Sequence, residues 1–91
     1  MATTQFNWTN SALITLDGIF AYIAKDSPVY AQSFIQRLMH SVDRLANFPE
    51  SGRRVSEAKC DDIREVVFQS YRIIYRIIDA QRIDIIAVVH G

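Results

Sequence analysis

The sequence predicts an α+β domain in which a helical hairpin packs on one face of a small, mainly antiparallel sheet. Apolar residues recur at helical spacing in the first half of the chain and with a period of two in the second half. The second-half segments are joined by connections too short for crossovers, so consecutive strands must pair antiparallel. Two amphipathic helices and a sheet can bury their apolar sides only against each other, which gives the order β-α-α-β-β-β.

The composition indicates one small domain over residues 1–91. Hydrophobic residues make up 49% of the chain, which is enough for a packed core. Ten basic residues balance ten acidic ones, so the chain has no overall charge with which to attract nucleic acid, and we expect no direct sequence-specific DNA binding. The single cysteine excludes an internal disulfide and a cysteine-rich zinc site, and we expect no metal and no cofactor.

The lone Cys60 favours an intracellular, reducing environment, and hydropathy predicts no membrane partner. The first ten residues, "MATTQFNWTN", lack the basic start and apolar run of a signal peptide. No stretch approaches the roughly 20 apolar residues that span a bilayer.

The first half of the chain predicts a strand followed by two helices. "TTQFNWT" alternates, with Phe6 and Trp8 on one side, which is typical of a short strand. Asn10 or Ser11 can cap the first helix, and Ser27 followed by Pro28 is typical of the start of the second. Apolar residues keep helical spacing for more than four turns of this second helix, through residue 46, and "NFPESG" ends it.

The second half predicts three strands: "IREVVF", "YRIIYRII" and "IDIIAVVH". If Gln69 and Ser70 form a two-residue turn, Val67 lies opposite Arg72 and Glu65 lies diagonal to both Arg72 and Arg76. The helix-facing set is then Tyr71, Ile73, Tyr75, Ile77, Ile83, Ile85, Ala87 and Val89. The opposite face carries Glu65, Arg72, Arg76, Asp84 and His90, interleaved with Val67, Ile74, Ile78, Ile86 and Val88.

This register avoids burying charge. A one-residue slip would place Asp84 and His90 under the helices, so the unslipped pairing is favoured. A tight two-residue turn at Ala80 and Gln81 would produce the slipped pairing. The sequence therefore predicts a wider or bulged turn at residues 79–82.

The half-apolar second face is a candidate partner-binding surface, because a large exposed apolar patch that also carries charges usually marks a partner or ligand. The alternative is an ordinary solvated face on which Glu65 and Arg72 or Arg76 form a surface ion pair. The candidate partner-binding residues are Arg53, Arg72, Ile74, Arg76, Ile78, Ile86 and Val88.

The chain resembles the ParE/RelE superfamily of toxins from type II toxin–antitoxin systems, and is most similar to the ParE branch. The similarity runs in order along almost the whole chain. It rests on Trp8 with Ala12, "YIAKDSPVYA", Phe34, "FPESGRRVSE", "IREV", "YRIIYRI" and the terminal "VVHG". The resemblance implies the RelE/ParE-like fold and a cytoplasmic toxin of the kind linked to plasmid stabilisation.

The resemblance also implies partners. A ParD-like antitoxin would neutralise the toxin, and DNA gyrase would be its target, which makes the chain an inhibitor rather than an enzyme. RelE-like toxins with the same fold instead cleave messenger RNA in the ribosome, and the fold alone does not choose between these activities. A third possibility is a non-toxic remnant that only binds an antitoxin, since relatives commonly continue past "HG" with another arginine.

The RNase alternative needs particular residues. Metal-independent RNA cleavage needs a base, cations for the developing phosphate charge and an acid. Glu65 or Glu57, Arg72 with Arg53, and His90 could supply them. Arg72 and His90 align with positions where nuclease members often carry a functional arginine and histidine. We nevertheless favour gyrase inhibition, because the neutral charge of the chain suits a ribosome-bound RNA substrate poorly.

Overall fold

The computed structural model describes residues 4–91 and confirms the predicted fold class, with two helices on one face of a mixed five-stranded sheet. The helices are α1 (Asn10–Ala24) and α2 (Pro28–His40). The strands are β1 (Gln5–Trp8), β2 (Arg53–Arg54), β3 (Ile63–Phe68), β4 (Tyr71–Asp79) and β5 (Arg82–His90). Their order is β1-β5-β4-β3-β2; β1 runs parallel to β5 and the other neighbours are antiparallel. Thr3, the first residue of the predicted first strand, lies outside the described residues.

Side-chain caps begin both helices. Thr9, one residue before the predicted cap, accepts from the Ala12 amide at 3.3 Å and donates to the Ile85 carbonyl at 3.0 Å, so it joins the start of α1 to β5. Ser27 caps α2 through the Tyr30 amide, with Pro28 in the first turn, as predicted. Within residues 4–91, neither helix combines the length and apolar character that crossing a membrane requires.

The second helix is shorter than predicted. It ends at His40, and the chain continues into a 3₁₀ turn at Asp43–Ala46. Val42 and Leu45 are still fully buried, although they lie beyond the helix. Their apolar spacing therefore reports burial in the core rather than continued α-helix.

The core lies between the helical hairpin and the sheet. The helices contribute Ala12, Leu16, Phe34 and Leu38, and the sheet packs against them with Ile73, Tyr75, Ile83 and Ile85. Tyr75 is the largest fully buried side chain of the described residues.

The β3–β4 hairpin has the predicted register. The β4–β5 hairpin starts with the predicted register too, but through a bulge rather than a wider turn. Phe68 pairs with Tyr71, and Val67 lies opposite Arg72. Of the wider or bulged turn predicted at residues 79–82, the wider form is wrong, because Asp79 pairs with Arg82 across a tight two-residue turn; the irregularity is a bulge one residue before that range. A bulge at Ile78 restores the predicted pairing, with Ile77 opposite Ile83.

A second irregularity inverts the end of β5. Tyr75 pairs with Ile85 but Ile74 pairs with Ala87, so Ile86 is the extra residue of a bulge. Beyond it the alternation is reversed: Val88 is buried opposite Ile73, and His90 lies opposite Tyr71 on the helix side of the sheet. The prediction that Val88 and His90 share a face with Arg72 is therefore wrong, as is the placement of Ala87 and Val89 toward the helices.

Candidate functional site

A three-residue ion cluster lies on the sheet face opposite the helices. The Glu65 carboxylate accepts from the Arg53 guanidinium at 2.9 Å through Oε2 and from the Arg72 guanidinium at 3.2 Å through Oε1. Pairing of β2 with β3 places Arg53 directly beside Glu65. Arg72 reaches Glu65 diagonally from β4, as the register predicted.

Burial differs sharply among the three side chains. Glu65 is only 5% exposed and is the one buried charged residue among residues 4–91. The Arg72 side chain is 32% exposed and that of Arg53 is 70% exposed. The two guanidinium groups offset the cost of burying the Glu65 side chain, since an unpaired buried charge would be strongly destabilising.

The three side chains of the cluster line an open groove of about 310 Å³ together with Arg54 and Ser56. Arg54 forms an ion pair with Asp61, and both of these side chains are largely exposed. The groove is polar and basic at its rim, and it has room for a small anionic group.

The other charges on this face are also paired. Arg76 donates to Asp62 at 2.9 Å rather than to Glu65, and Arg82 donates to Asp84 at 2.9 Å. Hydrogen bonds from the Cys60 thiol and the Arg76 guanidinium lower the pKa of Asp62. Each arginine of the predicted partner-binding set therefore has a carboxylate within the chain.

The aliphatic residues of the predicted surface differ in their exposure to solvent. Val67 is 50% exposed and Ile78 is 44% exposed, while Ile74 and Ile86 are half-buried. Val88 is buried in the core, with only 4% of its surface exposed, and so does not belong to the exposed surface. The apolar part of the second face is therefore carried by Val67, Ile74 and their neighbours on β3, β4 and β5.

The predicted RNase residues are brought together only in part. Glu65 and Arg72 are in contact, but the His90 ring packs edge-on against Tyr71 at 5.0 Å between centroids. Tyr71 in turn packs against Phe34 of α2, which places His90 on the helix side of the sheet. Glu57 lies exposed in the loop between β2 and β3, outside the residues that line the groove.

Sequence reasoning missed a hydrogen-bonded clamp that holds the loop before β2. The buried Tyr75 hydroxyl donates to the Pro49 carbonyl at 2.6 Å and accepts from the Gly52 amide at 3.1 Å. Burial raises the pKa of Tyr75. A Cβ on Gly52 would lie 2.4 Å from the Tyr75 hydroxyl oxygen, so this close approach requires glycine.

Arg64 holds the same loop from the neighbouring strand. Its guanidinium donates to the carbonyls of Glu50, Gly52 and Asp61 at 3.1–3.3 Å. The clamp fixes the backbone just before Arg53 and so helps to place Arg53 against Glu65. The only sequence signal for it was that "FP..GR", "RE" and "YRI.Y" occur together.

Metal ligation is not indicated by side-chain grouping: across residues 4–91, no three His, Cys, Asp or Glu side chains come together in a metal-binding arrangement.

Comparisons with known proteins point to one toxin family. A family model described as the ParE toxin of the type II toxin–antitoxin system parDE matches residues 6–91. The chain is 38% identical over 93 aligned positions to the candidate toxin Y4kP of Sinorhizobium fredii, covering all of this chain and 92% of that protein. It is 40% identical over 76 positions to toxin RelE2 of Caulobacter vibrioides, covering 82% of each.

The fold also matches a solved structure. A chain of the chromosomal ParDE toxin–antitoxin system from P. aeruginosa superposes with a TM-score of 0.74 at 20% identity, covering 96% of this chain and 95% of that one. That superposition shows the shared fold, and the family-model match over residues 6–91 shows that the chain belongs to the ParE toxin family of type II toxin–antitoxin systems.

Proposed function

We propose that this ParE-family toxin inhibits bacterial growth by poisoning DNA gyrase through protein–protein contact, and that a ParD-like antitoxin neutralises it in the cytoplasm. Residues 1–91 would act as one toxin domain. The observation that carries the proposal is the ParE family match over residues 6–91. It is supported by a formal net charge of zero and by the pairing of Arg53, Arg72 and Arg76 with carboxylates, a surface better suited to a protein than to a polyanion.

The second candidate function is RelE-like cleavage of messenger RNA in the ribosome. It is favoured by the identity to a relative named RelE2 and by the contact between Glu65 and Arg72. Against it, His90 lies on the other side of the sheet from Glu65, so the acid and base of a metal-independent mechanism would not flank one scissile bond. Both carboxylate oxygens of Glu65 are also engaged by arginines, Oε2 by Arg53 and Oε1 by Arg72.

The test starts with inducible expression in bacteria with and without a co-expressed cognate antitoxin. We expect growth arrest only without the antitoxin, and loss of supercoiling activity when purified toxin is added to gyrase. Intact gyrase activity at a large molar excess of toxin would exclude the proposal. Codon-biased cuts in translated messages, abolished by Arg72→Ala, would identify the RNase alternative instead. Normal growth in both strains would indicate a non-toxic antitoxin-binding remnant.

The antitoxin contact is proposed for the half-apolar sheet face. Arg72 and Arg76 on this face are paired with carboxylates of the same chain. The most exposed aliphatic side chains between the charges are Val67 and Ile78. An amphipathic antitoxin segment that covers this face would bury the aliphatic residues and leave the ion pairs at its rim.

A further inference from the structure

Arg53 and Arg72 on the open sheet face both bind one anionic group, the carboxylate of Glu65. Each oxygen of Glu65 takes one guanidinium, at 2.9 Å from Arg53 and 3.2 Å from Arg72. A carboxylate bridging two guanidinium groups uses the same donor geometry that arginines offer to a phosphate. The groove therefore has the residues of a phosphate site with an internal carboxylate in the binding position.

We propose that Glu65 is a specificity-determining residue that keeps phosphodiester polymers out of this groove by occupying Arg53 and Arg72. Each guanidinium has five N–H donors, and in the part of the chain that the structure describes each uses one of them on Glu65. Donors for a phosphate thus remain, but the two arginines and Glu65 leave only one net positive charge. A glutamine in place of Glu65 would leave two.

Glu65 cannot easily leave its position. It lies in the middle of β3, with its backbone paired to β2 on one side and to β4 on the other, and it is 5% exposed. A phosphate that reached both arginines would lie within a few ångströms of this fixed negative charge. One unit charge at about 4 Å changes an affinity by roughly five-fold even with water-like screening, and by more in a partly buried groove.

The inference rests on the geometry of the cluster and does not require gyrase to be the target of the toxin. It is tested with full-length protein and a fluorescent single-stranded DNA oligonucleotide of about 12 nucleotides, at roughly 50 mM salt, by fluorescence anisotropy. DNA supplies the phosphodiester backbone without the 2′-hydroxyl, so cleavage does not complicate the measurement. We expect Glu65→Gln to bind the oligonucleotide at least about five-fold more tightly than the wild type, and this gain to fall with added salt.

A matched control separates the groove from net charge. Asp17→Asn makes the same charge change on the exposed surface of α1, in the layer on the other side of the sheet, and should leave the affinity unchanged. The double variant Glu65→Gln/Arg72→Gln should lose the gain. Equal gains in Asp17→Asn and Glu65→Gln, or persistence of the gain without Arg72, would overturn the proposal.

A second substitution keeps the test valid if Glu65→Gln fails to fold. Glu65→Asp keeps the charge but is one methylene shorter, so its carboxylate cannot bridge both guanidinium groups as Glu65 does. We expect an intermediate gain in oligonucleotide affinity, with circular dichroism verifying the fold. Wild-type oligonucleotide affinity in a folded Glu65→Asp variant would by itself show that Glu65 does not control access to the groove.

Discussion

At the scale of single residues, the two arginines that hold Glu65 are not equivalent. Arg72 is mostly buried against the sheet, whereas most of the Arg53 side chain is in solvent. Ion pairs are worth more when water is excluded, and removing one partner of a buried pair leaves an uncompensated charge. Arg72 should therefore dominate the stability of the cluster.

We predict that Arg72→Ala lowers the free energy of unfolding by about 1–3 kcal/mol and Arg53→Ala by about 1 kcal/mol or less. Urea denaturation of both variants beside the wild type measures the difference. Arg82→Ala, which removes a partly exposed partner of Asp84, serves as the surface-pair control. Equal losses for Arg72→Ala and Arg53→Ala would show that burial does not determine the strength of these contacts.

Tyr75 gives a pH-dependent prediction. Its pKa is raised from the usual value of about 10 because burial disfavours the phenolate. The folded state therefore holds the phenol proton to higher pH than the unfolded state does. The resulting stability is fully present below the unfolded pKa and is lost as the pH rises through the folded one.

Tyr75→Phe removes this titration and also leaves the Gly52 amide and Pro49 carbonyl without their partner, at a cost of about 1–3 kcal/mol near neutral pH. We expect the stability difference between wild type and variant to shrink when urea denaturation is repeated above about pH 10. A difference that stays constant across this range would contradict the burial of a neutral phenol.

At the scale of elements, the turn between β3 and β4 contains local strain. Gln69 has φ = 53°, in the left-handed region that side chains with a Cβ disfavour, and it is the one non-glycine residue of the described chain with positive φ. Gln69→Gly should therefore stabilise the protein by up to about 1 kcal/mol, despite the extra freedom that glycine has in the unfolded chain.

The adjacent position provides the control for this prediction. Ser70 occupies the same turn without a positive φ, so Ser70→Gly should destabilise by about 0.5–1 kcal/mol through unfolded-state entropy alone. Thermal or urea denaturation measures both effects. A loss of stability in Gln69→Gly equal to that in Ser70→Gly would show that the left-handed conformation carries no cost.

The elements also show which parts of the structure the sequence could predict. Ser27-Pro28 gave the start of α2 because the cap and the first-turn proline are local signals, and the Gln69-Ser70 turn set the register that joins Glu65 to Arg72. The bulge at Ile86 could not be predicted, because "IIAVV" is apolar in either alternation. His90 therefore lies on the helix side of the sheet, and the candidate RNase residues Glu65 and Arg72 are separated from it.

Long-range pairing explains the remaining differences. β2 consists of two arginines in a polar loop, and only its pairing with Arg64 and Glu65 makes it a strand. The clamp between Tyr75 and the loop before β2 joins residues more than 20 positions apart. Neither contact has a periodic signal. The sequence therefore predicted the diagonal pair of Glu65 and Arg72, but not a cluster to which three strands contribute.

At the scale of the whole molecule, the helices cover one face of the sheet and leave the other open. The open face combines the Glu65 cluster with exposed aliphatic side chains such as Val67 and Ile78, an arrangement that is costly in water and typical of a partner surface. Because Val88 is buried in the core, this surface is smaller than predicted and is centred on β3 and β4.

Val67 allows this surface to be tested without disturbing the core, because it is half exposed and lies directly opposite Arg72. We predict that Val67→Lys weakens binding of the cognate antitoxin at least about ten-fold, since a central interface residue would then place an unpaired charge against an apolar segment. Val29→Lys makes the same substitution at an 80% exposed position in the first turn of α2 and should leave the affinity unchanged. Isothermal titration calorimetry with purified antitoxin measures the affinity of both variants. If Val29→Lys weakens binding and Val67→Lys does not, the antitoxin covers the helical hairpin rather than the sheet.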